Sequence, residues 1–134
     1  MAVIEHSTIP AYPSTRSGVP IRRLVSAESG AMQTEAWEQQ LPPGQGIPLH
    51  YHDVEETVVF LSGEIETVIG DEKRVTAAPM TAFVPAQVLH SFRNVGAEAA
   101  QMIVFFPALR PAVIYLDGER RYAQGDQGQS SHGR

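Results

Sequence analysis

The stretch LHYHDVEE, residues 49–56, gathers side chains of the kind that hold metal ions. The chain has five histidines, and two of them, His50 and His52, fall here one residue apart. A third, His90, lies in PAQVLHSFRN, and His6 and His132 sit near the two ends. Side chains alternate across a strand, so imidazoles at i and i+2 point to one face. DVE then makes a short connection, and a new strand begins near Glu56, which shares a face with Val58 and Phe60. Paired as a simple hairpin, the two strands bring Glu56 beside both histidines. Two imidazoles and a carboxylate that converge in this way form a metal half-site. The missing ligand must come from a distant strand. His90 is the histidine so placed, on a strand where it shares a face with Phe92 and Asn94. Three nitrogens and one oxygen leave two positions open at an octahedral ion. The competing reading is a barrel that keeps its histidines for internal hydrogen bonds and holds no metal.

The elements that must position these groups read as strands and turns. TVVFL (57–61), IETVI (65–69), TAFV (81–84), QMIVFF (101–106) and AVIYL (112–116) are short and rich in β-branched or aromatic residues. Turn chemistry separates them, at PPGQG (42–46), SG (62–63), GDE (70–72), AAP (77–79), NVG (94–96) and DGE (117–119). GAMQTEAWEQQL (30–41) tolerates a helix, but a strand puts Trp37 and Leu41 on one face and is preferred. No segment sustains a 3.6-residue apolar period, so a helical core is not expected. Many short strands in one small chain predict an all-β protein with little helix, an antiparallel sandwich or barrel. Residues 1–20 read as an N-terminal extension, 21–117 as the β domain, and 118–134 as a polar, partly disordered tail.

Composition bounds the function. A chain of 134 residues is long enough for one core and too short for two. A formal net charge of −5 gives no electrostatic reason to expect nucleic acid or an anionic membrane as partner. The absence of cysteine excludes disulfides and thiolate metal sites. The opening MAVIEHSTIPAYPSTRSG lacks a basic region followed by an apolar run, and runs such as MIVFF are too short to span a bilayer. A cytoplasmic protein is the default expectation.

GQGIPLHYHDVEETVVFLSG resembles the first motif of the cupin superfamily, in which a glycine, His-x-His, a glutamate and a second glycine stand at set spacings. Gly44, His50, His52, Glu56 and Gly63 occupy its fixed positions. PMTAFVPAQVLHSFRN resembles the second motif, with Pro85, His90 and Asn94 in place. The likeness covers roughly residues 30–110 and implies an antiparallel jelly-roll β-barrel, commonly a homodimer, with one divalent metal near its mouth. It assigns His50, His52, Glu56 and His90 as the ligands. Two positions depart from the pattern, Pro79 and Gln87, where the family usually has glycine; glycine there would permit backbone angles that other residues resist.

A shell of neutral imidazoles and one carboxylate suits a divalent Fe, Mn, Ni, Co or Zn ion. Such an ion supports dioxygenase-type cleavage or Lewis-acid isomerisation and decarboxylation. Val58, Phe60 and Phe92 are the expected apolar pocket wall, with Gln87 as an amide at its edge. The assigned inward positions hold no Lys or Arg, since Arg93 alternates outward, so the expected substrate is a small organic molecule, uncharged or weakly acidic. Glu55 and Tyr51 should face away from the metal, and Arg22 and Arg23 read as surface residues. Apolar outward positions such as Val59 and Leu61 make a homodimer the expected assembly. The alternative function is a non-catalytic binding or sensing module with a structural metal.

Overall fold

Alternation of apolar and polar side chains drives most of the strands. The computed structural model describes residues 2–14 and 16–122. One antiparallel six-stranded sheet contains β1 (Tyr12–Pro13), β2 (Pro20–Val25), β3 (Glu35–Leu41), β10 (Ala100–Phe106), β5 (Glu56–Phe60) and β8 (Met80–Val84), in that order. The second, also six-stranded, contains β12 (Arg120–Tyr122), β11 (Ala112–Tyr115), β4 (Gly46–Tyr51), β9 (His90–Asn94), β6 (Glu64–Ile69) and β7 (Glu72–Ala77). The chain crosses repeatedly from one sheet to the other, which is the jelly-roll arrangement. Among the described residues the only helices are single 3-10 turns, at His6–Thr8 and Ala27–Ser29. Among the described residues no helix is long and apolar enough to cross a membrane.

The core lies between the sheets. Val58 and Phe60 on β5, Met102, Val104 and Phe106 on β10, and Phe92 on β9 are buried. Phe60 and Phe92 meet across the two sheets, edge to face, with centroids 5.4 Å apart. Burying such a side chain contributes roughly 1.5–3 kcal/mol. Gly63, the last glycine of the first motif, has φ +102°, and a Cβ there would lie 2.5 Å from the Cβ of Ala100. Both observations require glycine.

Several expectations need correction. β4 and β5 do not form a hairpin: β4 pairs with β9 and β11, whereas β5 pairs with β10 and β8. Residues 52–55 carry the chain from one sheet to the other, so Glu56 faces the histidines across the interior. Strand pairing also reaches into both flanks. β1, within residues 1–20, pairs with β2, and β12, within residues 118–134, pairs with β11. Residues 123–134, with His132, lie outside the described residues. Arg23 is not a surface residue: its side chain is 13% exposed and its guanidinium meets Glu28 at 2.8 Å. The strand reading of 30–41 holds from Glu35 to Leu41.

Candidate metal centre

Register brings the histidines together. His50 on β4 stands directly opposite His90 on β9 in the antiparallel ladder, and opposite Tyr115 on β11 at its other side. A glycine nearby permits this pairing. A Cβ on Gly46 would lie 2.4 Å from the carbonyl oxygen of Phe92, so only glycine lets β4 approach β9 so closely. His52 follows two residues after His50, beyond the strand end, and both are buried. Glu56 opens β5 and enters from the opposite sheet.

The four ligand atoms lie within 4.8 Å of one another. His50 Nε2 is 3.2 Å from His52 Nε2, His52 Nε2 is 3.4 Å from Glu56 Oε1, and His90 Nε2 is 2.8 Å from Glu56 Oε1. Each ring is held from behind by a backbone carbonyl. Nδ1 of His50 donates to Pro48 at 2.7 Å, Nδ1 of His52 to Ala112 at 2.8 Å, and Nδ1 of His90 to Val88 at 2.9 Å. A carbonyl can only accept, so in each neutral ring the proton resides on Nδ1 and the Nε2 lone pair is directed at the shared centre.

Lone pairs that converge without a proton between them repel, and the cluster shows it. Glu56 Oε1 and His90 Nε2 are fully buried and lack an aligned hydrogen-bond partner, although they are 2.8 Å apart. Ligands bound at about 2.1 Å to a common ion stand roughly 3.0–3.4 Å from their nearest neighbours, close to the spacings seen here. The four residues therefore fit a divalent cation. Electrostatics agree. Burial, with the neighbouring His90 and His52, pushes the His50 imidazole down to about 3, which keeps it a neutral donor. Burial opposes charge on His52 and Glu56 too, but their mutual attraction outweighs it, raising His52 and holding Glu56 well below the usual carboxylate range.

The ligand atoms face a cavity of about 50 Å³ whose wall includes Ile21, Trp37, Gln39, Ile47, Phe92 and Tyr115. Of the expected pocket residues, Phe92 lines it, whereas Val58 and Phe60 belong to the packed core. Gln87 is exposed and outside the cavity wall. It has φ +70°, which explains why glycine suits this position, and its backbone N–H donates to the His52 carbonyl at 2.8 Å. Its contribution is made by backbone rather than by its amide. Glu55 is exposed, as its parity predicts.

Sequence reasoning left much of the cavity's wall and mouth unassigned, including Ser14, Gln39, Tyr115 and Arg121. Gln39 carried a readable signal, since it lies midway between Trp37 and Leu41 and shares their inward face. Arg121 revises the expectation of a cation-free lining, but its guanidinium Nε donates to Glu119 at 2.9 Å. Across the mouth, Arg16 Nη2 donates to Asp117 at 2.7 Å and Arg16 Nε to Glu119 at 2.8 Å, with its guanidinium 4.1 Å above the Tyr115 ring. This clasp joins the N-terminal segment to the β11–β12 hairpin.

Residues 37–106 match the family model described as Cupin domain. The chain is a cupin. Polyketide synthase CurC from Streptomyces cyaneus is 31% identical to it over 115 residues, covering 80% of this chain and 72% of that protein. Among solved structures, this cupin resembles the polyketide cyclase RemF from Streptomyces resistomycificus, with a TM-score of 0.73 and 21% identity, over 87% of this chain and 85% of that one. It also resembles a sugar phosphate isomerase of the cupin superfamily from Silicibacter pomeroyi, with a TM-score of 0.74 and 20% identity, over 92% and 88% of the two chains. At these identities the structural likenesses establish a shared fold, and the fold hosts different reactions.

Proposed function

We propose that this cupin is a metal-dependent enzyme that acts on a polyketide-type substrate, promoting ring closure at a carbonyl-bearing carbon chain. The observation that carries the reading is a buried His-His-Glu-His cluster at the end of an apolar, aromatic-walled cavity. His50, His52, Glu56 and His90 would hold the ion. A bound divalent ion supplies Lewis acidity toward a substrate carbonyl oxygen. Trp37, Phe92, Ile21 and Ile47 keep water from the reacting carbons and offer flat apolar surface to an aromatic or polyenone body. The cavity admits the reacting end of such a molecule, and the rest must extend through the mouth between Ser14, Tyr115 and Arg121.

The charge of the lining supports this class over a phosphorylated sugar. Arg121 is the cation of the described cavity wall, and Glu119 already engages it. A phosphate group would need an uncommitted guanidinium or ammonium. The likeness to a polyketide synthase component points the same way.

The test is turnover of a β-polyketone thioester by protein loaded in turn with Zn, Mn, Fe, Co or Ni, read by mass spectrometry. Ring closure with dehydration removes the mass of one water, and this is the expected result. Gain of the mass of dioxygen would assign oxidative cleavage instead. Absence of both turnover and metal uptake would overturn the proposal.

A further inference from the structure

Strand β3 turns four side chains inward, and three of them have evident structural work. Glu35 accepts from Trp37 Nε1 at 2.9 Å and from the backbone N–H of Arg110 at 2.9 Å. Trp37 walls the cavity against Phe106, with centroids 4.6 Å apart, and Leu41 is fully buried in the core. The fourth is Gln39, which is 6% exposed and lines the same cavity as His50, His52 and Glu56. Among the described residues its side-chain amide has no hydrogen-bond partner. The other amides near it on the neighbouring strand and turn are satisfied: Gln101 donates to Glu38 at 2.6 Å, and Asn94 donates to Leu41 and Glu98 at 2.8 and 2.7 Å.

Buried amides are nearly always paired, and that of Gln39, without a partner in the chain, is not sealed off as Glu56 Oε1 and His90 Nε2 are. At Gln39 the open direction is the cavity itself, beside the cluster. The two flanking positions of the strand, Trp37 and Leu41, show that an apolar side chain of this size fits the inward face. An amide here therefore answers to something in the cavity.

We infer that Gln39 is a specificity-determining residue that binds an uncharged oxygen function of the substrate, a hydroxyl, enol or second carbonyl, next to the carbonyl held at the metal centre. The chemistry of the amide fixes the class. It offers a donor and an acceptor, so it recognises a neutral hydroxyl or carbonyl, and it provides no charge to match a carboxylate or phosphate. Other polar groups of the wall are already engaged: Glu56 by the histidines, Arg121 by Glu119, Ser14 Oγ by Ser17 Oγ. The inference rests on the metal reading above and narrows its substrate to molecules with two neighbouring oxygen functions.

The experiment compares wild type and Gln39→Met in cobalt-loaded full-length protein. Three probes are used: azide, acetophenone, and 2-hydroxyacetophenone, which adds one hydroxyl beside the carbonyl. Azide binding is read from the visible cobalt absorption, and ketone binding by calorimetry. Wild type is expected to prefer the hydroxylated ketone by about tenfold, the usual worth of one buried hydrogen bond. Gln39→Met is expected to erase that preference while metal content and azide affinity stay unchanged. An equal preference in both proteins, or none in wild type, would overturn the inference. Wild type that takes up neither cobalt nor azide would instead overturn the metal reading on which it rests. Gln39→Glu keeps the length, but because a carboxylate would still accept from the hydroxyl, that variant reports only on the donor. Gln39→Leu, which removes donor and acceptor together, is the second variant should the methionine protein fail to fold, and it too must lose the preference.

Discussion

Asn94→Ala is expected to destabilise the fold by about 3 kcal/mol without moving the metal affinity. Asn94 is fully buried at the end of β9, the strand that carries His90. Its amide donates to the Leu41 carbonyl at 2.8 Å and to the Glu98 carbonyl at 2.7 Å, and its oxygen accepts from the Gly96 N–H at 2.9 Å. Each such bond contributes roughly 0.5–1.5 kcal/mol net, and an acceptor left dry costs roughly 1–3 kcal/mol. Gly96 and Glu98 are near solvent and can turn to water, whereas the Leu41 carbonyl belongs to a fully buried residue. One dry acceptor and two exchanged bonds sum to about 3 kcal/mol, or roughly 10–15 °C in Tm. Urea unfolding, followed through Trp37, the single tryptophan, measures this. Asn94→Asp separates the hydrogen-bond argument from simple packing. It keeps the shape but turns a carboxylate oxygen toward two carbonyl oxygens, so at pH 7 it should be at least as damaging as alanine. Facing oxygens raise the introduced carboxyl's pKa, so its penalty should shrink as pH falls through that value and the group becomes a donor. An aspartate variant more stable than the alanine variant at pH 7 would refute the reasoning.

Adjacent glutamates should behave oppositely. Glu56→Gln, like His90→Ala, should weaken metal binding more than about 100-fold, beyond the loss typical of an outer partner, while Glu55→Gln leaves it intact; competition with a chromophoric chelator reads all three. Metal affinity should also depend on pH above the ordinary imidazole range. His52 is raised by Glu56 and must lose its proton to bind metal, so affinity should climb with pH through a value above 6.5 and then level off. His50, held near 3, adds nothing in that window. Affinity that stays flat from pH 6 to 8 would contradict the pairing. Arg16→Gln opens the clasp to Asp117 and Glu119. Those pairs are solvent-exposed, so Tm should barely move, but a chelator should strip the metal faster in stopped flow.

The sequence-readable part of the site was the part governed by local periodicity. His50 and His52 share a face because a strand alternates, and the wall residues Phe92 and Trp37 follow the same rule. The pairing of β4 with β5 was misread because alternation reports which face a residue takes and says nothing of which sheet a strand joins. Glu56 still reaches the cluster, since both sheets turn their inner faces to one interior. β7 was invisible for a related reason. Its sequence EKRVTA is exposed on both faces, so no alternation marks it. β2 hides behind Arg22 and Arg23, whose stems lie along the sheet while their heads reach the Ile9 carbonyl and Glu28. β12 has only Arg120, Arg121 and Tyr122, which read as tail until β11 pairs with them.

The placement of the wall residues along the chain divides the chemistry from the selectivity. All four ligands, with Trp37, Gln39, Ile47 and Phe92, lie within the family-matched residues 37–106, whereas Ser14, Ile21, Val113, Tyr115, Arg121 and Tyr122 lie outside it. Coordination tolerates only small displacements: His50 and His90 sit on the paired strands β4 and β9, and Glu56 opens β5, which is held between β8 and β10. The mouth is built on short pairings, two residues between β1 and β2 and three between β11 and β12. Side chains there can change size without disturbing the ladder that holds His50 opposite His90. Val113→Phe is the direct trial. It places a larger ring against a cavity of about 50 Å³ from a strand that carries no ligand. Metal content and azide affinity should match wild type, while binding of 2-hydroxyacetophenone should fall at least tenfold, as expected when a closely packed site is overfilled. Loss of metal together with the ketone would mean that β11 supports the centre itself, through the Ala112 carbonyl that holds His52, and that the mouth and the metal are one unit.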